Sequence, residues 1–365
     1  MQPAPEFFLF CENGTISNLV ANQPYALVVK TTHFCPDKCA HCFENSGPDQ
    51  PKNFIPEKVI TGYIDQALQD PLFSKNFIVT GGEPTSAYEF LDAPNARRHY
   101  FTNIIEYALN RKVLVAANTN AYFVDQPFCD TVFNDIHNLM LRQRPKVITS
   151  KNARTHYPFE IQLSLDRFHN NCMERDFEVL KRLSQQKING ATYAVRVSSF
   201  DFDRLMFDEL LNKLRNAGIS AEWGQLIDPK TQEVKNDSVV LVNGRLALEY
   251  SSAPYVSSNG RATNIPYAFH NPTPQFTILC PNNEVLVAFD SFGNVTLGAA
   301  EGEKITVPWR GSDGNPRPLV DIRADLVTAT KAAEAKYFTA LQTQNESTKC
   351  RNGFLSGLFR GGKRK

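Results

Sequence analysis

The chain has 365 residues and a mass of 41.1 kDa, a length that predicts about two domains, or one large α/β barrel with an appendage. Hydrophobic residues make up 42% of the sequence and charged residues 21%, which is enough apolar material for a packed core and excludes wholesale disorder. The 39 Lys and Arg residues balance 38 Asp and Glu residues, so a protein held to nucleic acid mainly by its net charge is excluded.

Strand-like and helix-like segments alternate along the first two thirds of the chain. The predicted strands are Tyr25–Lys30, Phe77–Thr80, Val113–Ala117, Phe159–Leu165, Ala191–Ser198 and Ile219–Ile227. The predicted helices are Pro56–Gln69, Arg97–Arg111, Phe128–Arg142, Asp176–Gln186 and Leu205–Asn216. Such alternation favours parallel strands joined by right-handed crossovers. Six units are fewer than the eight of a complete barrel, so we predict an α/β fold with a partial, TIM-like (β/α)6 barrel.

The pattern changes after residue 228. The polar stretch Asp228–Asp237 is typical of a linker, and Val285–Phe289 with Asn294–Leu297 flank a glycine-containing turn that predicts a hairpin. Leu319–Leu341 is the last predicted helix. We therefore predict an N-terminal extension (1–24), the barrel (25–228), a smaller C-terminal α+β domain (229–344) and a solvated basic, polar tail (345–365).

From the sequence we expect neither a membrane-spanning stretch nor a secretory signal. Its apolar runs are far shorter than the roughly 20 residues that a bilayer requires. The first ten residues lack both a basic residue and a small-residue cleavage site. We expect a cytoplasmic protein that has no membrane partner. The sequence gives no strong indication of nucleic-acid binding.

A cluster of cysteines follows the first predicted strand. Three of the eight cysteines lie in the segment Cys35-Pro-Asp-Lys-Cys39-Ala-His-Cys42. Thiolates select zinc, copper(I) or iron–sulfur clusters. A structural zinc site usually has four protein ligands, commonly from two separated pairs, and no second pair is present here. A 4Fe–4S cluster held by only three cysteines would leave one iron open. The alternative is a zinc site in which His33 is the fourth ligand. His41 could also serve as the fourth ligand, but with more strain.

A second motif ends the second predicted strand, where Thr80 is followed by Gly81-Gly82-Glu83-Pro84. Two glycines at the end of a strand allow the backbone to approach a ligand closely. The Glu83 carboxylate suits a ligand ammonium group. An ordinary strand-to-loop turn is the alternative for this motif.

The two motifs, in this order and after successive strands, resemble those of the radical S-adenosylmethionine (radical SAM) superfamily. The resemblance covers about residues 25–228 and implies an enzyme in which Cys35, Cys39 and Cys42 hold one 4Fe–4S cluster. The amino and carboxylate groups of S-adenosylmethionine (SAM) would complete the coordination of the iron that has no cysteine ligand. Reductive cleavage of SAM would then give a 5′-deoxyadenosyl radical that abstracts a substrate hydrogen.

The resemblance also implies cofactor-binding positions. Gly81, Gly82 and Glu83 match the motif that binds the methionine amino group, and His41 matches a position near the adenine. Weaker similarity extends to Asn118 and Asn120 after the third strand, Ser164 and Asp166 after the fourth, and Arg196 on the fifth. For these weaker positions a capped loop or a satisfied buried polar group is the alternative. His169 is either a substrate contact or a solvated loop residue.

The C-terminal region resembles a degenerate form of the SPASM extension found in a subset of the family. Cys280 and the hairpin around Gly293 match that extension, but the second cysteine expected near Leu297 is missing. We therefore expect Cys280 to be a small core residue and the chain to hold a single cluster. Many proteins with this extension modify peptides or proteins, so the resemblance implies a peptide or protein substrate first and a small molecule second.

The resemblance further implies an electron donor such as flavodoxin or ferredoxin. The net reaction is left open by the sequence. The non-enzymatic alternative is a zinc-stabilised binding protein that uses the cysteine loop.

Overall fold

The computed structural model describes residues 16–42, 44–92, 99–142, 158–185, 193–227, 234–243, 246–253, 285–297 and 305–335. Cys280 and the predicted tail (345–365) lie outside the described residues. No helix within these ranges is long and apolar enough to cross a membrane.

Helices and strands occupy nearly all of the segments that the sequence predicts. The helices are α1 (Ile16–Asn22), α2 (Glu57–Ala67), α3 (Ala87–Phe90), α4 (Tyr100–Asn110), α5 (Cys129–Arg142), α6 (Cys172–Gln185), α7 (Arg204–Asn216) and α8 (319–335). The strands are β1 (Tyr25–Lys30), β2 (Phe73–Thr80), β3 (Leu114–Thr119), β4 (Phe159–Ser164), β5 (Tyr193–Phe200), β6 (Ala221–Ile227), β7 (Val234–Val242), β8 (Leu246–Ala253), β9 (Val285–Asp290), β10 (Asn294–Leu297) and β11 (Thr306–Pro308).

The described strands form one sheet with the order β11-β10-β9-β1-β2-β3-β4-β5-β8-β7-β6. Each neighbouring pair from β9 to β8 is parallel. Helices connect the successive strands β1 to β5, as the predicted crossovers require. The α/β class is therefore confirmed, and the carboxyl ends of β1 to β5 share one edge.

The sixth predicted strand is present but does not extend the parallel series. β6 pairs antiparallel with β7 at the edge of the sheet, and β8 takes the place beside β5. β7 also begins inside the stretch predicted as a linker. The physical reason is a second apolar pattern, since Val240, Val242, Leu246 and Leu248 are fully buried and Asn243 adopts a positive φ at the turn between them.

The predicted hairpin of β9 and β10 is confirmed as an antiparallel pair. Its first strand pairs in parallel with β1, from Tyr25 opposite Val285 to Lys30 opposite Asp290. Segments after residue 228 thus add strands at both ends of the β1–β5 series. The domain boundaries remain a prediction.

The two faces of the central strands have different roles. Leu27, Val29, Phe77 and Val79 are buried in the main hydrophobic core, together with the apolar side of α2 and α4. Because side chains alternate along a strand, the residues between them face the other side. Val28, Lys30, Ile78 and Thr80 line a cavity there. The sheet therefore separates a helix-covered core from the candidate site.

Candidate active site

A cavity of about 300 Å³ lies at the carboxyl ends of β1 to β4. Cys35, Cys39 and Cys42 all line it, together with His41. Five more of the predicted positions line the same cavity, namely Gly81, Gly82, Asn118, Asn120 and Ser164. Residues from four successive strand ends therefore meet in one place.

None of these three cysteines forms a disulfide, and all three belong to one loop. Cys35 and Cys39 are buried and Cys42 is half-buried. The loop is braced by backbone hydrogen bonds from Cys35 N to Gly47 O and from Cys42 N to Cys39 O, each 3.2 Å. Burial, with a smaller contribution from the charge of Glu83, raises the pKa of the Cys35 thiol well above its usual range. A cation that binds thiolate must therefore displace this proton.

The Gly81-Gly82 turn packs backbone to backbone against the segment that leads into Cys35. Gly82 N donates to Thr32 O (2.7 Å), and Glu83 N donates to Phe34 O (2.9 Å). A Cβ at Gly82 would lie 1.9 Å from the Phe34 carbonyl oxygen, so no larger residue fits there. Gly81 adopts a φ of +128°, a conformation that favours glycine. The close approach at this turn is made to the cysteine segment.

Glu83 is fully buried and does not line the cavity. Its carboxylate accepts hydrogen bonds from Thr85 N (3.0 Å), Thr85 Oγ1 (2.5 Å), Thr119 Oγ1 (2.9 Å) and Asn120 N (2.9 Å). Burial raises its pKa, although these hydrogen bonds oppose the shift. Protein donors occupy both oxygens, so the expected direct contact with a ligand ammonium is not the arrangement seen. The carboxylate instead joins the turn after β2 to the end of β3.

An ion-pair network holds the middle of the cysteine loop. Asp37 Oδ2 accepts hydrogen bonds from Asn120 Nδ2 and Arg175 Nη1, each 2.7 Å long. Arg175 Nε also donates to Asp125 Oδ2 at 2.7 Å. The Asn120 amide nitrogen lies 3.6 Å from Cys35 Sγ. Sequence reasoning missed Asp37 and Arg175, although an acidic residue between two candidate ligands was a usable signal.

A second group of polar side chains adjoins Cys39. Asp166 Oδ2 lies 2.8 Å from His169 Nδ1 and 3.8 Å from His41 Nε2. Asp166 is buried and does not line the cavity, whereas His169 does. His169 is therefore not a solvated loop residue. One donor atom from each of these three side chains lies within 4.8 Å of the others, a spacing that also suits a metal ion.

Two further residues considered in the sequence analysis, like Glu83 and Asp166, do not line the cavity. Arg196 Nη2 contacts Glu160 (3.1 Å) and Glu249 (3.2 Å), so its charge is already balanced, and it does not line the cavity as a contact to a cofactor carboxylate would require. The His33 ring stacks on Phe292 at 4.3 Å and is likewise not part of the lining. His33 is thus poorly placed to close a zinc site.

The donor set of the cavity fits an iron–sulfur cluster. Three cysteines of one loop line the cavity, and soft sulfur ligands are those that such a cluster requires. Lys30 and Glu44 form an ion pair of 2.6 Å in the lining and give it both signs of charge. Val28, Ile78, Leu286 and Ala288 supply an apolar wall. A bound group would therefore meet thiolates, charges and a water-poor surface.

Comparisons with known proteins gave matches only among solved structures. No protein-family model and no curated protein sequence matches the chain. SuiB from Streptococcus suis, bound to S-adenosylmethionine, is 14% identical with a TM-score of 0.40; the alignment covers 75% of this chain and 60% of SuiB. The chain thus spans less than two thirds of that protein. The enzyme anSMEcpe with bound AdoMet is 15% identical, over 53% of this chain and 49% of its own, with a TM-score of 0.33. BtrN in complex with AdoMet and 2-DOIA is 12% identical, over 75% and 72%, with a TM-score of 0.32.

Proposed function

We propose that this chain is a radical SAM enzyme in which Cys35, Cys39 and Cys42 hold one 4Fe–4S cluster. The observation that carries the proposal is that these three cysteines and the Gly81-Gly82 turn line one cavity, at the carboxyl ends of adjacent parallel strands. Sites in parallel α/β folds form at this edge. When bound, the cluster and SAM supply reductive cleavage of SAM and hydrogen abstraction from a substrate.

The residues of the chain hold and orient these groups. Asp37, Asn120 and Arg175 fix the cysteine loop. The glycine turn clamps the chain that enters the loop, and the buried Glu83 carboxylate ties this turn to β3. Asn118, Asn120 and Ser164 present polar atoms to the cavity, and the apolar wall excludes water from it.

We propose a peptide or protein as the substrate, supported by the sequence similarity of the C-terminal region to SPASM extensions. A small molecule is the alternative. Because the proposed reaction requires an electron for each cleavage, a flavodoxin or ferredoxin is the proposed donor. The cytoplasm is the proposed location.

Metal analysis after anaerobic reconstitution tests the proposal. We expect about four irons and four sulfides per chain, as for one cubane, and formation of 5′-deoxyadenosine from SAM when dithionite is added. C35A, C39A and C42A should each lose the iron. C129A is the matched control, since Cys129 is a buried cysteine outside the cavity. Cys280→Ser should also leave the iron content unchanged.

If the chain is instead a zinc-stabilised binding protein, the metal analysis should give a different result. The grouping of His41, Asp166 and His169 beside Cys39 is the observation that keeps this candidate, because imidazole and carboxylate ligands suit zinc. Stoichiometric zinc without iron or sulfide, retained under anaerobic reconstitution, would support it and refute the proposed enzyme.

A further inference from the structure

We propose that Lys30, with its charge balanced by Glu44, donates a hydrogen bond to an amide carbonyl oxygen of the substrate. This inference rests on the proposed function, because it takes the cavity to be the place where that enzyme binds its substrate. It assigns a substrate chemistry to the β1 and β9 side of the cavity, namely a neutral hydrogen-bond acceptor attached to an aliphatic group.

Lys30 is a buried lysine in the cavity lining, at the carboxyl end of β1. Its Nζ lies 2.6 Å from Glu44 Oε1, and both side chains are only 10% exposed. An ammonium group has three N–H donors, and Lys30 forms no other side-chain hydrogen bond or ion pair with the described residues. Buried polar groups are nearly always hydrogen-bonded. The remaining donors therefore need acceptors from a group inside the cavity.

The neighbours of Lys30 in the sheet do not supply these acceptors. Its register partners are Asp290 on β9 and Thr80 on β2. The Asp290 carboxylate accepts hydrogen bonds from Phe292 N (2.9 Å), Asn294 N (2.8 Å) and Asn294 Nδ2 (3.3 Å), and so caps the hairpin turn. Among the described residues, no side-chain hydrogen bond or ion pair joins Lys30 to either register partner.

An apolar strip lies beside Lys30 in the same wall. Val28, two residues earlier on β1, is the register partner of Ile78 on β2 and of Ala288 on β9. All three line the cavity. Because paired residues on adjacent strands point to the same face of a sheet, their side chains form a continuous surface. A group that binds here should therefore carry an aliphatic part next to its hydrogen-bond acceptor.

The charge of the ion pair favours a neutral acceptor. Lys30 and Glu44 together carry no net charge, so a carboxylate bound to Lys30 would add an uncompensated negative charge to a buried site. A carbonyl oxygen accepts the same hydrogen bond without adding a charge, and a bond from an ammonium group is stronger than one between neutral groups. Every peptide supplies amide carbonyls, which agrees with the proposed substrate.

The position of Lys30 also favours the substrate over the cofactor. The glycine turn, Asn118 and Ser164, which the resemblance assigns to SAM, lie at the ends of β2, β3 and β4. Lys30 lies on β1, which pairs with β9 from the C-terminal region. The similarity of that region to SPASM extensions is what supports a peptide substrate, so Lys30 is on the side of the cavity where such a substrate would enter.

Binding of small probes of similar shape to the reconstituted, SAM-loaded protein tests the inference. The probes are N-methylisobutyramide, isobutyramide and isobutyrate, and NMR titration under argon measures their affinities. We expect both amides to bind the unmodified protein about tenfold more tightly than isobutyrate does, and about tenfold more tightly than they bind Lys30→Met/Glu44→Met. This double variant leaves no unpaired buried charge, so it should fold. Lys38→Met is the matched control, because Lys38 pairs with Asp49 outside the cavity lining.

Glu44→Gln should reverse the preference. This variant leaves the Lys30 charge uncompensated, so isobutyrate should bind it more tightly than either amide does. The two amides also distinguish the source of the carbonyl in the substrate. Tighter binding of N-methylisobutyramide to the unmodified protein would support the inference with a backbone amide, and tighter binding of isobutyramide would support it with an Asn or Gln side chain.

The outcomes separate this inference from the proposed function. Absence of iron and sulfide from the unmodified protein would refute the proposed function. With a full cluster, equal affinity of the amides for the unmodified protein and the double variant, or no binding to either, would overturn the inference alone. Weaker binding of SAM by the double variant, with no change for the amides, would also overturn it, because Lys30 would then serve the cofactor. If the double variant does not fold, the order of isobutyrate and the amides on Glu44→Gln decides.

Discussion

Arg175 Nη1 donates a 2.7 Å hydrogen bond to Asp37 Oδ2, which ties helix α6 to the centre of the cysteine loop. The two side chains are only 7% and 8% exposed. A buried pair of this kind contributes little when compared with an apolar pair, but loss of one partner leaves an uncompensated charge. The loop that carries all three candidate ligands is thus held by a charge on a distant helix.

Replacement of Arg175 should therefore destabilise the protein. We expect Arg175→Met to lower the free energy of unfolding by about 3–5 kcal/mol in urea titrations of metal-free protein, because Asp37 and Asp125 lose their buried partner. Adding Asp37→Asn should restore part of the loss. Lys38→Ala is the control from the same loop: its pair with Asp49 is 58% exposed on both sides, so the expected change is below about 1 kcal/mol. Equal losses in the two single variants would contradict this interpretation.

The glycine turn gives a second test of how the loop is built. Gly82→Ala should abolish iron retention and lower stability, since its Cβ would lie 1.9 Å from the Phe34 carbonyl oxygen and would force the cysteine segment to move. Gly62→Ala is the matched control, because nothing lies within 4 Å of a Cβ at this position in α2. Alanine favours helix over glycine by about 1 kcal/mol, so Gly62→Ala should stabilise the protein. Iron content and thermal unfolding check both variants, and full iron retention by Gly82→Ala would contradict the role assigned to the turn.

Local sequence patterns predicted much of this architecture. Apolar periodicity located the strands and helices from β1 to α7, and adjacent parallel strands necessarily brought the cysteine loop and the glycine turn to one edge. Whether neighbouring strands pair in parallel or antiparallel was harder to predict from the sequence. β6 has the pattern of another strand in the series, but it pairs with β7, which lies further along the chain.

The supporting residues of the site were the least predictable from sequence. Arg175 lies 138 residues from Asp37, and its partner depends on how α6 packs over the sheet. His169 and Glu83 could be noticed in the sequence as polar residues that follow strands. That position predicts that a residue lies at the carboxyl edge of the sheet, but it does not predict which group its side chain contacts. Glu83 illustrates the difference, because its carboxylate turns inward to Thr119 and Asn120.

Glu83→Gln should be destabilising even without any bound group. Four donors point at the two carboxylate oxygens, so the amide nitrogen of glutamine must face at least one of them. A buried donor left without an acceptor costs roughly 1–3 kcal/mol. We expect a loss of that size in urea unfolding of the metal-free protein. Unchanged stability of metal-free Glu83→Gln, with weaker SAM binding after reconstitution, would instead favour direct contact with a ligand.

Asp176 gives a pH-dependent prediction. It is fully buried on α6, and neither carboxylate oxygen has a hydrogen-bond partner among the described residues. Burial raises its pKa well above the usual value, with the Asp166 charge adding to the shift and the His169 and Arg175 charges opposing it. Because the folded pKa exceeds the unfolded one, the stability from this group is fully present below the unfolded pKa of about 3.9 and is lost as pH rises through the folded pKa.

Asp176→Asn removes this titration without a change in side-chain shape. The free energy of unfolding of the variant, minus that of the wild type, should therefore rise with pH above about 4, by up to about 1.4 kcal/mol per pH unit, until the folded pKa is passed. Urea titrations of both proteins at pH 5, 6, 7 and 8 measure the difference, in which the other titrating groups cancel. Asp313→Asn is the control, because this exposed aspartate accepts hydrogen bonds from Asn315 that lower its pKa. The free energy of unfolding of this variant, minus that of the wild type, should therefore not rise between pH 5 and pH 8. A difference that stays flat from pH 5 to 8 for Asp176→Asn would show that its carboxylate has a partner and is not destabilised by burial.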